Sequence, residues 1–148
     1  MYRRILVPLE RAAGPTAHLQ HAADLAAEEG AQLTVLRVIT VIPSDEYVLK
    51  RIQIEEGSMG AKSKAAAKEY VDRLKAQLQD RGVDARGVVI VSDQPEDEAI
   101  VAYAAEIGGD LIVLPNQRRS LFSRWLQGNV TAKVQRRSDI PVLMIREQ

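Results

Sequence analysis

An α/β domain with an open five-stranded parallel sheet and helices on both faces, of Rossmann-like type, follows from two features of the sequence. Short apolar runs without polar alternation recur along the chain, which is how strands buried on both faces read. Between them lie longer stretches with helical periodicity. Strands alternating with helices imply right-handed crossovers and a parallel sheet. The 148 residues suit a single domain, 1–148, and are too few for two of ordinary size.

Ile5-Leu6-Val7 is the first apolar run, followed by punctuation at Gly14, Pro15 and Thr16. From Ala17 to Glu29, Leu19, Ala22, Ala23, Leu25 and Ala26 recur near helical spacing, and Gly30 is a C-terminal stop. Gln32 to Val41 is β-branched and apolar, a second buried strand. Asp45 to Gly60 carries helix formers but is interrupted by Gly57 and Gly60, and reads as a helical or mobile excursion. Ala61 to Asp80 is a helix with Ala65, Ala66, Tyr70, Val71, Leu74 and Leu78 as its stripe, ended by Gly82. Val88 to Val91 is a third strand. Pro95 and the acids Glu96, Asp97 and Glu98 suit the start of a helix that runs to about Ile107 and stops at Gly108-Gly109. Leu111 to Leu114 is a fourth strand, Asn129 to Arg137 a last helix, and Pro141 to Ile145 a fifth strand with proline at its start. The sequence shows no internal repeat, low-complexity tract or linker.

Composition excludes several functions. Lysine plus arginine and aspartate plus glutamate both total 20, which argues against a general nucleic-acid binder. There is no cysteine, so disulfides, thiolate metal sites and cysteine nucleophiles are out. The two histidines, His18 and His21, have no acidic or cysteine ligand obviously placed to join them, so no metal site is expected. Neither has a serine and an acid beside it, so nucleophilic catalysis has no support. No apolar run approaches the roughly 20 residues of a membrane span, and a cytoplasmic protein is expected. The neutral total hides a segregation. Asp93 to Asp110 holds six acids and no base, and Gln117 to Arg137 holds six bases and no acid. Charge favoured at a helix start explains much of the first block; the other reading is a partner surface or a metal site, though Glu96, Asp97 and Glu98 lack the spacing of a calcium loop. The second is a solvated basic face or an anion site.

In doubly wound sheets ligands bind beyond the carboxyl ends of the strands, where the strand order reverses. The loop after strand one begins Pro8-Leu9-Glu10-Arg11-Ala12, and the loop after strand four runs from Pro115 to Val130. With ILVPL at the start, LTVLRVI, GGDLIVLP, SLFSRWLQGNVTAKV and the closing IPVLMIR, the whole chain resembles the universal stress protein family. The resemblance implies a five-stranded parallel sheet with two helices on each face, and a homodimer joined through the last strand at Val142, Leu143, Met144 and Ile145. It also implies a test for ATP. Relatives that bind it carry, after strand four, a glycine, two residues, a second glycine, nine residues, then glycine and a serine or threonine. The glycines let backbone N–H groups approach the phosphates, and the hydroxyl completes the cradle. Here the matching positions are Pro115, Arg118, Gly128 and Asn129, so only the third glycine is kept. The family's aspartate, glycine and serine after strand one are Glu10, Arg11 and Ala12, and a glycine after strand three is Ser92.

The sequence therefore reads as a non-enzymatic stress-response or regulatory protein that acts as a homodimer and lacks the usual ATP cradle, with no cofactor and an unnamed protein partner. The alternative is an adenine-nucleotide switch or weak ATPase for ATP or AMP. Arg118, Arg119 and the helix start at Asn129 would then replace the glycines, and Pro8, Glu10, Val38, Pro115 and Gly128 would complete the site. Phe122 and Trp125, among arginines, are either interface anchors or a cover for the sheet edge. A phospho-receiver or flavodoxin-like reading has little support: Asp93 is near the phosphorylatable position but Glu10 stands without a second acid, and Phe122 and Trp125 alone are thin evidence for a flavin site.

Overall fold

The structure, a computed structural model, describes residues 1–10, 17–40, 59–116 and 130–146, with residues 59–63 as backbone only. The elements are β1 (Arg4–Leu9), α1 (Ala17–Glu29), β2 (Gln32–Thr40), α2 (Met59–Asp80), β3 (Asp84–Ser92), α3 (Glu96–Glu106), β4 (Leu111–Asn116), α4 (Val130–Arg137) and β5 (Val142–Arg146). They form one parallel sheet of five strands in the order β3-β2-β1-β4-β5. The sequence order is thus reproduced element by element.

Period-two alternation sends each strand's side chains to both faces, and both faces are covered. Ile5, Val7, Leu33, Val35, Leu111 and Val113 pack with Leu19, Ala22, Ala23 and Ala26 of α1 and with Leu74 and Leu78 of α2. Leu6, Leu36, Ile112 and Leu114 pack on the opposite face with Ile100 and Ala104 of α3 and with Val130 and Val134 of α4. This explains why β1, β2 and β4 read as continuous apolar runs rather than alternating ones.

Four boundaries and one stripe differ from the expectation. β3 begins at Asp84, earlier than its β-branched run, because β2 supplies a ladder partner for every residue from Asp84 to Ser92. β1 continues through Pro8 and Leu9, and β4 through Pro115 and Asn116, although a proline reads as a strand end. β5 starts after Pro141. The buried stripe of α2 is Ala67, Val71, Leu74 and Leu78, while Ala65 and Ala66 are exposed. In an alanine-rich turn the smallest residues mark the stripe poorly. Of the segment 45–60, residues 45–58 lie outside the described residues, and Met59 and Gly60 belong to α2.

Gly30 and Gly82 take φ of +66° and +84°, the left-handed conformation that ends α1 and α2 as expected. At the amino end of the sheet, the backbone N–H groups of Arg3 and Arg4 both donate to the Asp110 carboxylate, at 2.8 and 3.0 Å. The Arg4 guanidinium donates to the Ile107 carbonyl at 2.9 Å, closing the last turn of α3. One acid of the acidic block is therefore part of the frame.

Candidate functional site

The chain runs outward from β1 through β2 to β3, then returns to the other side of β1 for β4. The strand order reverses between β1 and β4, so the crevice of a doubly wound sheet belongs at their carboxyl ends. The backbone opens there. β1 and β4 are paired only at Ile5 with Leu111 and Leu6 with Ile112. Beyond that each strand keeps its outer partner: Pro8 stays opposite Leu36 of β2, and Pro115 opposite Ile145 of β5. Neither proline has an N–H to offer a ladder. Both are buried, so the mouth between the parting strands has an apolar floor.

The carbonyls of these two prolines are both engaged. His18, 1% exposed, donates from Nε2 to the Pro8 carbonyl at 3.0 Å, which fixes that nitrogen as the protonated one in the neutral ring. The Thr131 hydroxyl, in the first turn of α4, donates to the Pro115 carbonyl at 3.4 Å. Sequence reasoning overlooked both contacts. His18 is packed into the molecule whereas His21 is exposed, so the two rings do not share a site. Among the described residues no group of three or more histidine, aspartate or glutamate side chains is placed to hold a metal ion.

The candidate residues fare differently. Pro8 and Pro115 lie on either side of the mouth, in β1 and β4, and Glu10 is half-buried just past β1. Val38 is 2% exposed and its side chain belongs to the core beside Leu6 and Leu36. Its carbonyl accepts from the Arg37 guanidinium. Arg118, Arg119, Gly128 and Asn129, with Phe122 and Trp125, lie outside the described residues. Val142, Leu143, Met144 and Ile145 form the edge strand β5 and are all half-buried.

The acidic and basic blocks meet. Glu96, Asp97 and Glu98 occupy the first turn of α3, as the helix dipole favours. Arg137, in the last turn of α4, reaches across to that turn. Its Nε stands 3.1 Å from Asp97 Oδ2 and its Nη1 3.0 Å from Glu98 Oε1. Asp97 is 3% exposed, and Oδ2 has this ion pair but no aligned hydrogen bond. Arg37 and Glu96 make a looser pair at 3.6 Å. Part of each charge block thus neutralises the other, a third possibility beside solvated face and ligand site.

A doubly wound α/β domain with a crevice where β1 and β4 part is a nucleotide-type scaffold, but that architecture hosts many functions. The family model for universal stress proteins matches residues 1–146, and the chain belongs to the universal stress protein family. A universal stress protein of Methanocaldococcus jannaschii is 26% identical over 159 aligned residues, covering 100% of this chain and 97% of that one. The solved structure of that archaeal protein superposes with a TM-score of 0.78 at 26% identity, covering 100% of this chain and 98% of the other. UspA of Lactobacillus plantarum superposes with a TM-score of 0.79 at 23% identity and 98% coverage of both chains. An Archaeoglobus fulgidus universal stress protein solved in complex with dAMP gives 0.70 at 19% identity, covering 97% of this chain and 98% of that one. Among the described residues no helix is long and apolar enough to cross a membrane.

Proposed function

We propose that this protein is a non-enzymatic, cytoplasmic regulatory member of its family, acting as a homodimer through β5 and not holding ATP through a glycine cradle. The observation that carries the proposal is the crevice itself. Where ATP-binding relatives have the first glycine, this chain has Pro115, buried in the β4 ladder opposite Ile145 and with no N–H to give a phosphate. The hydroxyl of Thr131 is already turned onto the Pro115 carbonyl. For the dimer, the support is an edge strand with four consecutive half-buried apolar residues, an edge that native proteins cover or pair.

The two halves are tested separately. A thermal-shift panel of ATP, ADP, AMP and cyclic AMP is expected to be flat, because a ligand at a hundred times its dissociation constant adds about 2.7 kcal/mol and would be plain to see. A shift of several degrees would refute the absence of a nucleotide. If that shift then faded on Arg118→Ala, it would favour the second reading, an arginine-based adenine-nucleotide site. The ligand of the Archaeoglobus relative is what keeps that reading in view. For the dimer, sedimentation of the wild type should give twice the 16.4 kDa chain mass. Met144→Arg, at an edge position outside both core clusters, should restore a single-chain mass with the folded spectrum unchanged. A monomeric wild type would remove the dimer from the proposal.

A further inference from the structure

Among the described residues β3, at the other edge of the sheet, is hydrogen-bonded to β2 alone. Its outer row of backbone N–H and C=O groups is a template for another extended chain. Natural edges are blunted by charge, proline or a bulge, yet Gly87 to Ser92 (GVVIVS) carries no charge and no proline. Val88, Val89 and Ile90 are half-buried and Val91 is 47% exposed. Among the described residues only Met1 is a more exposed large apolar side chain. Beside this edge, on the α3 face, Ile90 opens onto a groove of ≈ 210 Å³ with Ala99, Ala102 and Tyr103 on its helix side. Glu98 and Glu106 stand at its rim. Glu106 lines the groove beside Tyr103, whose phenol is pushed above its ordinary value by burial and then by that carboxylate. Glu106 and Asp93 are in no ion pair among the described residues.

We propose that the free edge of β3 and its groove dock an extended segment of a partner protein, a short β-branched run with arginine or lysine at both ends. Each part of that description has its cause. The unpaired backbone asks for an extended strand, which adds to the sheet by main-chain bonds while pockets select alternate side chains. Apolar residues on both faces of β3 ask for apolar neighbours on both faces of the incoming strand. The acids at the rim and at Asp93 place the partner's cations at its ends, where they guide encounter and register. A second copy of this chain fits less well. Antiparallel pairing of two β3 strands sets the two α3 helices on one side of the seam, with the Glu106 carboxylate of each copy adding like charge there. The docking site is independent of the β5 dimer and of any nucleotide.

The test uses the full chain and a fluorescein-labelled octapeptide, four valines and isoleucines between paired arginines, followed by anisotropy at low salt. Saturable binding is expected. Ala102→Trp fills the groove from an exposed helical position and should weaken binding about ten-fold with the unfolding midpoint unchanged. Glu106→Lys should weaken it about three-fold, less at high salt. A peptide N-methylated at alternate residues keeps its side chains but loses the main-chain bonds, and should not bind. The proposal fails if the arginine peptide does not saturate, if a glutamate-ended peptide binds equally, or if Ala102→Trp leaves affinity intact. It also fails if the protein self-associates in a way that Val91→Lys abolishes, since the occupant would then be a second copy.

Discussion

Gly87→Val should lower stability by about 1–3 kcal/mol, the usual cost of forcing extra atoms into a packed site. For a chain of this size that is a fall of roughly 2–12 °C in the unfolding midpoint. Gly87 lies in β3 opposite Val35, where α2 crosses the sheet. A Cβ built on it would sit 2.5 Å from Val71 Cγ1 and 3.5 Å from the Val71 carbonyl oxygen. Val71 is 1% exposed and β-branched in a helix, with one strongly preferred rotamer, so it cannot swing aside. The sign is informative. Replacing a strand glycine where space is open stabilises by about 0.4–1 kcal/mol through the unfolded chain. Here the collision outweighs that gain. Combining Gly87→Val with Val71→Ala should recover much of the loss, so the double variant should be more stable than the sum of the singles. A Gly87→Val protein as stable as the wild type would mean that α2 does not approach β3 as described.

Arg137→Ala should cost about 1–3 kcal/mol in urea unfolding, whereas its neighbour Arg136→Ala should stay within about 0.5 kcal/mol. Both arginines end α4 and both are exposed overall, so a dipole effect alone would treat them alike. The difference is Asp97, whose side chain is 4% exposed and loses its only counter-charge among the described residues. Removing one partner of a fully buried pair costs more than this. Arg137 is 53% exposed, so water softens the loss. Asp97→Asn added to Arg137→Ala should return part of the stability, since a neutral amide is cheaper to leave without a counter-charge than a carboxylate. If the two arginine variants behave identically, the link between α3 and α4 carries no weight.

The fold was legible because its cause is local. Ile5 to Val7, Leu33 to Leu36 and Leu111 to Leu114 are buried on both faces, so burial appears in the sequence as unbroken apolar runs. Gly30 and Gly82 mark helix ends because only a residue without a side chain adopts their φ freely. The candidate site was legible in part. Pro8 and Pro115 read from the sequence as the first residues of the loops after strands one and four. A ladder partner on the outer side carries each strand past its proline, and that partner is remote in sequence. The same holds for His18 on the Pro8 carbonyl and Arg137 on Asp97. No local pattern announces such pairs. The sequence places Val38 in β2, but strand position does not say whether the side chain or the backbone meets the crevice. Segregation of charge was visible at once, but that α4 would lay its last arginine on the first turn of α3 depends on how the two helices pack.

The placement of β1 has a consequence for the order in which the chain can be finished. β1, which precedes the other four strands in chain order, is the middle strand of the sheet. It can pair with β2 as soon as α1 has formed, and the β1–β2–β3 half can assemble from near neighbours. Its other side stays open until residues 111–116 have been made, and the Arg3 and Arg4 amides wait equally long for Asp110. Such distant pairing slows folding and lengthens the time an unpaired strand is exposed. During synthesis the seam between β1 and β4, which becomes the crevice, can close only after the β1–β2–β3 half has been made.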